Sequence, residues 1–187
     1  MPTKTTRDKP MRFLSILAAI AAFLSISVEA NAALQQCRTI DSVIASSELD
    51  TNRDQGGHIA KHVINEGIFS SDADAQAKQT DTFFLDEDQY ESVEAIFLAG
   101  GVGNCETTGS AANVVIDLVQ ADFAAKPAAF IGYNCKAGSI LTDNNPFAAG
   151  PRVYCGQEGT SFTPSQIRFV MKWTGEKWVI RTAFPMP

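Results

Sequence analysis

Hydrophobic patterning divides this chain into a helical first part and a strand-rich last third. Ile40–Leu49, "IDSVIASSEL", reads as a first helix, and His58–Glu66 as a second. A third starts after Asp86, whose carboxylate suits an N-cap. It runs through "EDQYESVEAIFLAGG" and stops at Gly100–Gly101. Ser110–Pro127, "SAANVVIDLVQADFAAKP", is ambiguous: its length favours a helix and its Val-Val-Ile core a strand. Ala128–Cys135 and Arg152–Cys155 read as strands, with the turn-rich "AGSILTDNNPFAAGP" as a loop between them. Gln166–Trp173 and Lys177–Phe184 flank "TGE", a tight hairpin signal. Helices followed by strands predict an α+β fold, with N-terminal helices packed on a twisted antiparallel β-sheet formed mainly by the C-terminal third.

The first 32 residues read as a secretory signal rather than part of the fold. Lys4, Arg7, Lys9 and Arg12 give a basic start. Phe13–Val28 is an uncharged run of 16 residues, and "ANA" at Ala30–Ala32 offers the small residues of a cleavage site. A membrane span needs about 20 apolar residues, so cleavage after Ala32 is preferred to an anchor. A lipid on Cys37 is disfavoured, because "LQQC" has Gln where a lipobox needs a small residue. The expected product is one domain, 33–187, periplasmic or secreted and without stable membrane association.

The leader takes four of the 15 basic residues and two of the 21 acidic ones, which leaves the domain at a net charge of −8. An acidic surface excludes a broad non-specific nucleic-acid binder but leaves room for a small basic cleft. All four cysteines follow the leader, an even number in an exported chain, so two disulfides are expected. Three pairings are open. Cys135–Cys155 is favoured because both sit in candidate strands joined by a loop, which leaves Cys37–Cys105.

The only two histidines, His58 and His62, share one segment, "GGHIAKHV". On a helix of 3.6 residues per turn, His58, Lys61, His62, Asn65 and Glu66 fall on one side and Ile59, Ala60, Val63 and Ile64 on the other. Both histidines are therefore expected on the polar face. A solvated face is the bland interpretation. The functional one rests on Gly56–Gly57, which permit close approach, on the free N–H groups of a helix start, and on Lys61 beside His58. Two imidazoles, a lysine and N–H donors suffice to cleave RNA without a metal or other cofactor. Zinc at His58, His62 and Glu66 is the competing idea, but Ile59 stands where the HExxH glutamate would be.

The chain closes on "KWVIRTAFPMP". Simple alternation puts Trp178, Ile180 and Thr182 on one face and Val179 and Arg181 on the other. "GGHIAKHV", "TFFLDEDQYESV" and "WVIRTAFP", in this order, resemble the bacterial RNase A-like toxin domains of contact-dependent inhibition systems. These belong with the barnase, EndoU, colicin and RelE-type nucleases. The family's Gly-Gly-His motif matches Gly56, Gly57 and His58, and its terminal Thr-aromatic-Pro signature matches Thr182 to Pro185, with Phe184 where Tyr is frequent. The resemblance implies a metal-independent ribonuclease acting by 2′-hydroxyl transesterification. His58 and His62 would be acid/base candidates, Lys61 and Thr182 would serve the reacting phosphate, and Arg181 and Gly57 would bind it. It also implies an RNA substrate, tRNA among the candidates, and an immunity protein as partner. The alternative is a secreted inhibitor or binding module of cystatin- or NTF2-like architecture. An enzyme must bring His58 and Thr182 to one concavity, and a binder need not.

Overall fold

Gln166–Trp173 alternates buried and part-exposed residues, the signature of a strand with one face on a core. It is the central strand of the main sheet in a computed structural model that describes residues 33–66, 81–119, 122, 130–144 and 151–187. The expected leader, 1–32, lies outside the described residues. Ala32–Pro187 form one compact unit. In chain order its elements are β1 (Leu34–Gln36), a 3₁₀ turn (Cys37–Thr39), α1 (Asp41–Ala45), α2 (Leu49–Asn52), a second 3₁₀ turn (Ile59–His62), β2 (Thr82–Phe83), α3 (Glu87–Gly100), β3 (Asn104–Glu106), β4 (Val114–Val119), β5 (Gly132–Cys135), β6 (Ile140–Asn144), β7 (Pro151–Cys155), β8 (Glu158–Phe162), β9 (Gln166–Trp173) and β10 (Trp178–Met186).

The fold is α+β, with short helices and several small antiparallel sheets. The main sheet has the order β10-β9-β4, a second has β2-β5-β8, and β1-β3 and β6-β7 form pairs. The hairpin at Thr174–Glu176 joins β9 to β10 as read from "TGE", with Gly175 at φ 103°. α3 starts at Asp86, whose carboxylate accepts from the Gln89 N–H, and lays Phe97 on Phe169 of β9 with ring centroids 4.4 Å apart. Around that stack Tyr90, Val93, Ile116, Leu118, Ile167, Met171 and Ile180 belong to the main core. A smaller core gathers Ile64, Phe83, Cys135 and Cys155 under the second sheet. The disulfides are Cys37–Cys105 and Cys135–Cys155, cross-links that an oxidising compartment sustains. No helix among the described residues is long and apolar enough to cross a membrane.

Several elements differ from the sequence-based expectation. Ile40–Leu49 is not one helix. α1 stops at Ala45, where the Ser46 and Ser47 hydroxyls bond back to Val43 O and Ile44 O, and the chain restarts as α2. The ambiguous segment Ser110–Pro127 carries β4, and residues 120–127 apart from Asp122 lie outside the description. The turn-rich loop contains a strand, β6, paired along β7. β8, in the polar "EGTSF", was not anticipated. Helix His58–Glu66 shrinks to the four-residue turn Ile59–His62. Beyond it Val63 is extended and bridges Phe84 in parallel, and Asn65 is left-handed at φ 69°. Val63 then enters the main core and Ile64 the smaller one, a division between neighbours that suits extended chain and not helix.

Candidate functional site

Among the described residues β10 is an edge strand, and its outer edge is closed by side chains and one backbone N–H instead of by another strand. Ser42 Oγ donates to Trp178 O, and Ser46 Oγ accepts from the Ile180 N–H at 2.8 Å. Asn52 Nδ2 donates to Ile180 O and Ser46 O, while its Oδ1 accepts from the Ile59 N–H. The His58 N–H donates to Arg181 O at 2.7 Å. These bonds explain the full burial of Ser46 and Asn52, and they dock the histidine segment onto the last strand. They also consume the N–H groups of His58 and Ile59, so the anion cradle expected at a helix start is absent there. Gly57 has a packing reason of its own. A Cβ there would come within 2.2 Å of the Asn52 amide, and Gly56 beside it turns at φ 93°.

The pairing of β10 with β9 runs Ile180↔Met171 and then Thr182↔Val170, so Arg181 is an extra residue in a β-bulge. Residues opposite one another share a face. Ile180 therefore stays with Met171 toward the core, whereas Thr182 moves to the face of Val170 and Phe184. Simple alternation had put Thr182 with Ile180; the bulge overturns that. Without it the Thr182 hydroxyl would point into the apolar core.

Thr182 lines a cavity of about 400 Å³ together with His58, His62, Asp81, Thr82 and Phe184. Its hydroxyl is buried and, among the described residues, has no hydrogen-bond partner. The two imidazoles are 6.3 Å apart between centroids. His62 is not on a polar face: it is 4% exposed, because its ring is stacked on Phe184 at 5.1 Å and packed near Phe83. His62 Nδ1 lies 3.0 Å from Thr82 O. A carbonyl only accepts, so Nδ1 carries the proton and Nε2 bears the lone pair of the neutral ring. Thr82 also bonds Pro185 O through its hydroxyl. It thereby links His62 to β10 and the second sheet to the main one.

Three of the expected site residues thus meet at one cavity: His58, His62 and Thr182. Lys61 and Gly57 line a different one, and Arg181 lines neither; its contribution is the carbonyl that holds His58. Asp81 and Thr82 share the first cavity and were not anticipated, because the two-residue strand that begins at Thr82, just after Asp81, carries no periodicity to read. His62 and Glu66 lie on different cavities, and no group of three His, Cys, Asp or Glu among the described residues is arranged to hold a metal. No protein-family model, curated protein or solved structure matches the chain.

Proposed function

We propose that this protein is an exported, metal-independent ribonuclease of the RNase A-like toxin type. The observation that supports this reading most is the convergence of His58 and Thr182 on one cavity that also holds His62, with the Thr182 hydroxyl buried and, among the described residues, without a hydrogen-bond partner. A buried hydroxyl left without a partner costs stability, and a phosphate oxygen would satisfy it. In the reaction one imidazole takes the proton of the RNA 2′-hydroxyl, and that oxygen bonds to phosphorus. The bond from phosphorus to the 5′-oxygen breaks, and the other imidazole gives this oxygen its proton. The products are a 2′,3′-cyclic phosphate end and a 5′-hydroxyl end. Thr182 donates to the phosphate oxygen on which charge builds. Thr82 keeps His62 in the tautomer whose Nε2 can act as base. Phe184 holds the ring plane.

Oxidised, purified protein should cleave RNA in the presence of EDTA, and His58→Ala should lower the rate by about 10²–10⁴-fold. Thr182→Val separates function from packing. It replaces an unsatisfied hydroxyl by a methyl of similar shape, so thermal stability should hold or rise while cleavage falls ~10²-fold. Intact activity in Thr182→Val, or no cleavage by the wild type, would remove the ribonuclease reading.

A further inference from the structure

His58 is a shared wall. It also lines a second cavity of about 350 Å³, together with Leu49, Asp50, Arg53, Lys61 and Glu66 among others. RNA is a chain, so a residue that handles one phosphate has a nucleotide on each side of it. Among the described residues, no ion pair joins Asp50, Arg53 or Glu66 to another side chain; the ion pair found there is Arg168–Asp117 on the main sheet. The cavity is lined by two cations, Arg53 and Lys61, two carboxylates, Asp50 and Glu66, and the apolar Leu49 and Ala60. Asp50 and Glu66 also stand near the exposed Glu87, whose carboxyl is held above the usual range first by partial desolvation and then by the charges of Asp50, Glu91 and Glu66.

Cations beside a reacting phosphate suit a polyanion, but carboxylates repel one. The ligand must therefore offer N–H donors where the carboxylates stand. Among the four bases, only guanine sets two donors side by side, N1–H and N2–H, with which a carboxylate can pair through both oxygens. Adenine and cytosine put a ring acceptor next to their amino group, and uracil flanks its single N–H with two carbonyls. We propose that the cavity between Leu49–Arg53 and Gly57–Glu66 is a second nucleotide subsite selective for guanosine, with Asp50 or Glu66 on the base and Arg53 and Lys61 on the phosphate. The inference rests on the ribonuclease reading for its biological substrate, not for its test.

The test is binding, followed by ¹⁵N amide shifts of the full disulfide-bonded domain. Guanosine 5′-monophosphate should perturb Asp50, Ala60 and Lys61 and bind about tenfold or more tighter than uridine or adenosine 5′-monophosphate. Asp50→Asn combined with Glu66→Gln should abolish that preference. Both side chains are exposed, so the far-UV circular dichroism of the double variant should be unchanged. Equal affinity for the three nucleotides, or shifts confined to Thr82, Thr182 and Phe184, overturns the subsite. A protein that cuts RNA but shows no guanosine preference keeps the ribonuclease reading and loses this one. A protein that cuts no RNA but binds guanosine 5′-monophosphate at Asp50 does the reverse.

Discussion

Ser47 has one hydroxyl proton and two acceptors in reach, Ile44 O and the Glu94 carboxyl. The conflict disappears when Glu94 is protonated, because the carboxyl can then donate to Ser47 Oγ while Ser47 donates to Ile44 O. Burial raises the Glu94 carboxyl above its ordinary value, against the Ser47 hydrogen bond, and the charges of Glu48 and Glu91 add to the rise. Between the ordinary carboxylate value and the raised folded one, the folded chain therefore holds a proton that the unfolded chain has released. The contribution of Glu94 to stability is present below the ordinary carboxylate value and is lost as pH rises through the folded one. Glu94→Gln supplies a donor at every pH. Denaturant midpoints of the two proteins should converge in acid, with the Gln variant the more stable at about pH 8. A wild type that is the more stable of the two at that pH would mean the carboxylate form is the one Ser47 holds. Nothing in "ASSEL" betrays this arrangement, since Glu94 comes from another helix. Gly57 teaches the same lesson. Its presence was legible and its reason was not, because the Asn52 amide that occupies its Cβ space is placed by tertiary bonds.

At the scale of elements, α3 and the β9–β10 hairpin were readable because each carries its own signal: an Asp N-cap, a strict alternation, a tight turn. The histidine turn was not. Its residues have helical spacing, but Val63, a β-branched residue, is more stable extended against Phe84 than in a second turn. The bulge at Arg181 was equally hidden, because one extra residue leaves the composition of a strand unchanged. Yet it decides which face Thr182 occupies. Inserting one residue between Val170 and Met171 gives Arg181 a partner across the ladder and should restore simple alternation and turn Thr182 toward the core, abolishing cleavage, whereas Arg181→Ala keeps the extra residue and the carbonyl that holds His58. Thermal melts of both variants show whether each is folded. Equal cleavage by two folded variants would mean that the bulge does not aim Thr182.

Across the whole molecule, the site lies where the main sheet meets the second one, and Thr82 is a bond on both sides. Among the described residues the second sheet covers a small core of four buried residues, two of them the halves of a disulfide. Cys135–Cys155 spans 20 residues and Cys37–Cys105 spans 68. Replacing both cysteines of a pair by alanine should cost roughly 3 kcal/mol for the shorter loop and roughly 4 kcal/mol for the longer. Denaturant titration measures both. The smaller global loss should carry the larger loss of RNA cleavage, because it loosens the sheet that holds His62 through Thr82. Activity untouched at full folding would show that the second sheet does not support the site. The α+β class and this pairing were legible from the order of elements and the strand positions of two cysteines. The junction was not, because it depends on a two-residue strand.

The sealed edge of β10 also sets a clock. Its bonds to Ser42, Ser46 and Asn52 join residues 136, 134 and 128 positions apart in sequence, whereas the hairpin that brings Trp173 against Trp178 is local. Local contacts form early, and closing a loop of well over a hundred residues comes late. On refolding with disulfides intact, tryptophan fluorescence should recover first and RNA cleavage in a slower phase. Simultaneous recovery would mean that the edge is sealed as early as the hairpin. On the ribonuclease reading, a chain assembled in this order is inert for as long as it is incompletely folded, so the cell that makes it meets the polypeptide before it meets the activity.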